Sequence, residues 1–186
     1  MSNDWLVGDR RAAAAERIYA AAADIIAARG IDAFDMAALE ARVHCSRATI
    51  YRHAGGKNQI RDAVLARSAE QIVAQVRAAV ADLDGTERAV TAVAVALDRI
   101  RADSLGRALI ASARSGGRVG WIADSPQLAG IAAKLTGCAD DDAAAAQWIV
   151  RVVLSFVVWP LADPELEREM LRRFLTQPAP LPLSTR

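Results

Sequence analysis

The stretch that decides the fold is Ser46-Arg47-Ala48-Thr49-Ile50-Tyr51-Arg52-His53, with Lys57 just beyond it. Ser46 is a good helix N-cap, because its side-chain oxygen can accept from the free amides of a first turn. Ile50 offers one apolar side chain to a core, which leaves Arg47, Ala48, Tyr51 and Arg52 to face away from it. The eight residues therefore predict a short, exposed helix that carries hydrogen-bond donors on one side.

Upstream, Phe34-Asp35-Met36-Ala37-Ala38-Leu39-Glu40-Ala41-Arg42 reads as a second short helix. Asp35 is its cap, and Phe34 and Leu39 have the spacing of a hydrophobic staple. Val43-His44-Cys45 is then a turn that lets two helices cross steeply with the second proud of the surface, the arrangement that enters a major groove. Between Glu40 and Asp62 there is no acid, whereas Arg42, Arg47, Arg52, Lys57 and Arg61 fall inside that window. A polyphosphate would meet a local positive field there.

These residues carry a resemblance. The cap, the Thr, the aliphatic residue, the Tyr, the His and the Lys four residues beyond it, behind a capped helix, resemble the DNA-binding signature of TetR-family transcriptional regulators over roughly residues 11 to 67. There are three departures. His44 stands where the family usually has Gly and must take a left-handed turn, which His tolerates better than most residues. Ala54 replaces an aromatic residue and leaves less apolar mass under the end of the recognition helix. The acid that usually follows Lys57 is missing. By match to the signature, Ser46, Arg47, Ala48, Thr49, Tyr51, Arg52, His53 and Lys57 form the DNA-binding set. Arg47 and Arg52 are the candidates for guanine edges, and Tyr51 and Lys57 for phosphate.

A chain of 186 residues, 53% of them hydrophobic, can bury a core without disulfides or metals. Aromatic residues are only 5%, Ala is abundant and strand-like alternation is absent, so the expected class is all-α. Net charge is +1, which leaves the case for DNA to the placement of charge rather than to its sum. Cys45 and Cys138 stand apart, without zinc or disulfide spacing, and read as ordinary small apolar residues. No metal or cofactor is implied. The N-terminus lacks the pattern of a signal peptide, so the expectation is a cytoplasmic protein. The longest charge-free apolar run, Val152 to Ala162, is shorter than the ~20 residues of a membrane span.

The rest of the chain reads as helices in series. After a loose arm, Arg10 to Arg29 forms the first, stopped by Gly30. Lys57 to about Leu83 forms one about 40 Å long. Thr86 caps a helix from Glu87 to about Ala102, and Leu105 to Ala113 is a shorter one. Ser125-Pro126 opens another that Gly137 ends. The next runs through Trp148 to Pro160, and Asp163-Pro164 caps the last. The loop Ser115-Gly116-Gly117-Arg118-Val119-Gly120 is not a phosphate-binding pattern and follows no strand. The expected organisation is a three-helix helix-turn-helix head over residues 1–55, a helical effector-binding and dimerisation domain over 56–177, and an extended or disordered tail over 178–186.

The resemblance implies a homodimeric repressor that leaves a palindromic operator when it binds a small molecule. The helix around Trp148, Val152, Phe156 and Trp159 is apolar on nearly every side. With Leu166, Met170 and Phe174 it is expected to pair with its copy, holding two heads ~34–36 Å apart. A cavity between Val90 and Leu135 would suit an apolar ligand, with Arg107, Ser112, Arg114 and Trp121 as candidate ligand contacts and Gly116-Gly117 as a gate. The alternatives are a helical interaction protein, or a small-molecule enzyme. The enzyme reading is weakened because no His lies beyond residue 62 and no Ser or Cys there has a partner in view. No catalytic residue is proposed.

Overall fold

The computed structural model describes residues 4–116, 120–139 and 142–175, and among these the only regular elements are helices. In order they are α1 (Asp4–Arg29), α2 (Met36–Val43), α3 (Arg47–Ala54), α4 (Lys57–Ala79), α5 (Gly85–Ala102), α6 (Ser104–Arg114), α7 (Gly120–Ala123), α8 (Pro126–Thr136), α9 (Ala143–Val158) and α10 (Pro164–Phe174). No helix among the described residues is long and apolar enough to cross a membrane. The first helix begins at Asp4, where the sequence suggested a loose arm before Arg10. Of the expected features, the tail over 178–186 and residue Gly117 of the gate lie outside the described residues, as do the side chains of Arg10, Arg11 and Trp121.

Two compact units divide the chain. The first runs to Gln71 and also takes in the chain from Arg101 through α6; the second comprises Ile72–Ile100 and the chain from α7 onward. In the first unit Ile18, Ala22, Ile25 and Ile26 of α1 line one face, at the spacing that places side chains in a row. They meet Phe34, Met36 and Leu39 of the α2 entry, Ile50 and Ala54 of α3, and Ile60 and Val64 of α4. Leu105 and Ala108 of α6 complete this core. Full burial of each large aliphatic side chain is worth roughly 2 kcal/mol. The solvent-exposed ion pair of Arg67 with Glu16, bidentate at 2.7 and 2.6 Å, contributes less than about 1 kcal/mol, so it orients α4 on α1 more than it holds the unit together.

The expected boundary at residue 55 therefore falls short of the packing. The sequence put α6 in the wall of an effector cavity because its apolar face is plain, but periodicity identifies a face and not what covers it. Here α6 lies on α1. Asp103 caps it, accepting from Gly106 N at 2.7 Å and from Ser68 Oγ of α4 at 3.0 Å. At its far end the buried Ser112 donates to Asp32 Oδ2 at 2.7 Å.

In the second unit Val76, Val80 and Ala92 form one cluster, with Ile72, Val95, Ala96 and Leu135 packed on it; Ala129, Ala133 and Ala146 form another between α8 and α9. Arg88 of α5 ties two helix ends together. Its guanidinium donates to the carbonyls of Val80 and Leu83, just past α4, and to those of Lys134 and Leu135 in the last turn of α8, at 3.0–3.2 Å. The two α8 carbonyls are among those a helix end leaves without intrahelical donors, at the negative end of the helix dipole, and the other two belong to the turn that follows α4. A lysine can supply the charge but not the planar fork that reaches both ends. Arg88→Ala is expected to lower the unfolding free energy by about 2 kcal/mol, with Arg88→Lys recovering less than half. Urea denaturation followed by circular dichroism measures both.

Candidate nucleic-acid interface

Helix α2 begins as its sequence demands. Asp35, in extended conformation, accepts from Ala38 N at 2.8 Å, and the staple residues Phe34 and Leu39 are both fully buried. The hydrogen bond from Ala38 N, followed by smaller contributions from Ala37 N and from the charges of Lys57 and Arg29, outweighs desolvation and holds the Asp35 carboxyl below its ordinary value of 3.8. Helix α2 ends at His44, which has φ 53° and ψ 39° and is the one non-glycine residue in the left-handed region among those described. Such a conformation costs a side-chain-bearing residue about 1 kcal/mol. The turn needs it, since it redirects the chain within Cys45 and Ser46 to start α3.

Ser46 caps α3, accepting from Thr49 N at 3.3 Å, and its hydroxyl shares a hydrogen bond with that of Thr49 at 3.0 Å. Ile50 and Ala54 are buried one turn apart. With those two inward, Ser46, Arg47, Ala48, Tyr51 and Arg52 are exposed, and Thr49 and His53 sit half-buried at the flanks. The Nδ1 of His53 is buried with no partner among the described residues, so a proton carried on Nε2 leaves no stranded N–H.

The end of α3 is better held than Ala54 suggests. Tyr19 of α1 donates from its hydroxyl to Ala54 O at 3.5 Å, and the Arg67 guanidinium lies over the Tyr19 ring, 4.2 Å from its centroid. Gly55 has φ 86° and ψ −166°, a region essentially reserved for glycine. At Gly56 the backbone comes close to the Tyr51 ring: a Cβ there would stand 3.2 Å from Tyr51 Cε1. The tyrosine ring thus lies against the entry to α4. There Gln59 Oε1 accepts from Gly56 N at 2.9 Å, and exposed Lys57 opens the helix. Tyr51, Lys57 and a helix N-terminus meet at one edge of the face, a combination suited to a phosphate.

The charge of the face differs from what the acid-free window suggested. Arg42 pairs with Asp24 of α1 at 2.9 Å, Arg47 with Glu40 at 2.6 Å and Arg61 with Asp62 at 2.9 Å. Acids at the rims of the window and on a neighbouring helix reach into it. The Glu40 hydrogen bond, then its charge, holds the Arg47 guanidinium more firmly protonated than usual. Cys45 is exposed in the turn, not packed as the sequence suggested, and Cys138 is half-buried.

Of the residues expected to bind a ligand, Arg107 donates to Ala102 O, Arg114 is exposed, and Ser112 is committed to Asp32. These three belong to the first unit and Trp121 to the second, so they do not form a set within either. A shallow groove of about 390 Å³ lies instead between α1 and α2, lined by residues that include Ile25, Ala28, Ala38 and Ala41 with the Asp24–Arg42 pair at its rim.

The family model described as bacterial regulatory proteins, tetR family, matches residues 18–64, from within α1 into α4. Over 180 residues the chain is 28% identical to proteins described as uncharacterized HTH-type transcriptional regulators from two strains of Mycobacterium tuberculosis, covering 92% of this chain and 88% of theirs. Its fold is similar to the crystal structure of the TetR family repressor AlkX from a Dietzia strain, described as implicated in biodegradation of n-alkanes. The TM-score is 0.55 at 19% identity, covering 86% of this chain and 91% of that one. Residues 18–64 thus match the TetR-family model, and the relatives that match over most of the chain are described as HTH-type transcriptional regulators.

The Asp35 cap has a pH signature. Because its carboxyl titrates lower in the folded head than in the unfolded chain, its contribution is complete above pH 3.8 and is lost as pH falls through the lower folded value. Asp35→Asn keeps a cap oxygen without the titration. Its unfolding midpoint should change less than that of the wild type when the pH is lowered from 5 to 3, read by circular dichroism.

Proposed function

We propose that this chain is a TetR-family regulator that binds a palindromic operator as a homodimer and acts as a repressor that a small, largely apolar molecule releases. The observation that carries the DNA reading is the rotation of α3: Ile50 and Ala54 are buried, and Arg47, Ala48, Tyr51 and Arg52 are left outward. In this reading Ser46, Thr49 and His53 flank the groove walls, Tyr51 and Lys57 hold phosphate, and Arg47 and Arg52 read base edges.

The homodimer reading is supported by two apolar stripes in the second unit. On α9, Trp148, Val152 and Trp159 recur on the face opposite Ala146, Ile149, Val150 and Val157, which are buried; Trp159 is 73% exposed. Phe156 is half-buried at the edge of that stripe. On α10, Leu166, Met170 and Phe174 lie beside the inward row of Glu167, Leu171 and Leu175, and Phe174 is 60% exposed. Large aromatic side chains exposed at regular spacing mark a surface that another molecule covers, and a two-fold copy covers both stripes at once.

Repression and release rest on the family's usual mode of action. The apolar makeup of the second unit favours an apolar or amphipathic effector over a charged one. The Ser112 hydroxyl already donates to Asp32, so toward an effector it has acceptor capacity only. Effector and operator must weaken each other by the same factor, because coupling between sites is reciprocal.

Tyr51→Phe and Lys57→Ala should weaken binding to every duplex by similar factors, about tenfold each. Lys57→Ala should also reduce the slope of log K against log salt by about one. Fluorescence anisotropy at several salt concentrations tests both, and unchanged affinity would remove this edge from the interface. Trp159→Glu should convert the dimer to monomer at micromolar concentration in sedimentation equilibrium without loss of helix content. A wild-type chain that sediments as a monomer would refute the homodimer.

A further inference from the structure

We propose that Glu40, in the last turn of α2, is a positioning residue that turns Arg47 toward a base edge and away from the phosphate backbone. The inference rests on the assignment of α3 to the DNA groove and deepens it.

The geometry of the pair is specific. Arg47 occupies the first position of α3, and its Nε donates to Glu40 Oε1 at 2.6 Å across the turn between the two helices. Arg42 instead gives a terminal nitrogen to Asp24, and Arg61 gives both Nε and Nη2 to the adjacent Asp62. Engaging Nε leaves the Nη1–Nη2 edge of Arg47 as the outward fork. Two parallel donors on a plane are what the O6 and N7 acceptors of guanine require. A free arginine would lose rotamer freedom on docking; this one has part of that restriction already in the unbound protein.

Charge gives the direction of the bias. A phosphate is drawn by net positive charge, and the Glu40–Arg47 pair has none. A guanine edge presents neutral acceptors and depends on donor geometry instead. The second carboxylate oxygen of Glu40 also disfavours a phosphate close by. The side chains are 59% exposed at Arg47 and 31% at Glu40, so in water the pair adds little to folding. Docking on DNA excludes that water and strengthens the hydrogen bond at the moment the base is read.

Proportions of bound sequences test the proposal without knowledge of the operator. The full chain and its E40Q, E40A and R47A variants are each used to select from a duplex library randomised over roughly 20 base pairs, two half-sites one turn apart. Their affinities for one unrelated duplex are measured at several salt concentrations. R47A should lose a guanine preference at one position per half-site. E40Q and E40A should weaken the preference at that same position by about tenfold and leave the other positions intact. Both should bind the unrelated duplex more tightly and with a steeper salt dependence than the wild type. The proposal is overturned if E40Q and E40A keep the wild-type preference where R47A loses it. It is also overturned if they relax a cytosine position that R47A leaves unchanged, which would make Glu40 itself the reader, or if R47A weakens all sequences equally, which would make Arg47 a phosphate contact. A wild-type chain that enriches no sequence overturns the assignment of the α3 face, and the proposal with it; failure of the Glu40 arms alone leaves that assignment standing.

Discussion

Burial of Ile50 beneath an eight-residue helix is the constraint on which the interface depends. A helix of two turns has no stability of its own in water, since nucleation is costly and few hydrogen bonds follow it. Its direction and rotation must come from what it packs on. Ile50, with Ala54 one turn later, sets the rotation, and the positions between them are outward as a consequence. The caps at either end act on the same few residues: Ser46 closes the first turn, and the Ala54 carbonyl receives the Tyr19 hydroxyl. Arg67 on the Tyr19 ring, with its fork on Glu16, extends this chain of contacts to α4. The outward face of α3 is thus set by α1 and α4 as much as by α3 itself.

Charge on that face obeys spatial rather than linear proximity. Asp24 is eighteen positions from Arg42 in the chain and 2.9 Å from it in space. A window drawn along the sequence counts cations correctly and leaves out the acids that neighbouring helices bring to them. What remains is not a uniform positive surface. Paired guanidinium groups lie within the face, and Lys57 stands at its edge beside a helix N-terminus. On the proposed DNA reading, that pattern favours registration by shape and donor geometry over diffuse attraction, in keeping with a net charge of only +1.

How much was legible in the sequence follows from the range of each interaction. Caps and turns are local, so Asp35, Ser46, Ser125 and Asp163 sit where their neighbours imply, and His44 takes the left-handed turn that the departure from glycine required. Rotation of α3 was legible because a single aliphatic residue stood among polar ones. The partner of a helix was not legible. Helix α6 shows a plain apolar face, but whether that face meets α1 or lines a cavity depends on residues more than seventy positions away, such as Asp32 for Ser112. The start of α1 differs too: the sequence suggested an arm before Arg10, whereas the helix begins at Asp4.

The second unit shows why mean hydropathy of a helix is a weak guide to its environment. Helix α9 is apolar nearly all round, and the simplest inference is a core helix covered on every side. Its faces divide instead. Ala146, Ile149, Val150 and Val157 are buried, whereas Trp148 and Trp159, two of the bulkiest side chains on the helix, are exposed. A chain that folded only for its own stability would place small or polar residues there, since exposed aromatic surface is a liability for solubility. Helix α10 repeats the arrangement, with a buried row at Glu167, Leu171 and Leu175 and an uncovered one that includes Leu166 and Phe174. Two helices consecutive in the chain thus each satisfy the protomer core with one stripe and leave a second, aromatic-bearing stripe exposed, and it is on this division that the proposed pairing with a second copy rests.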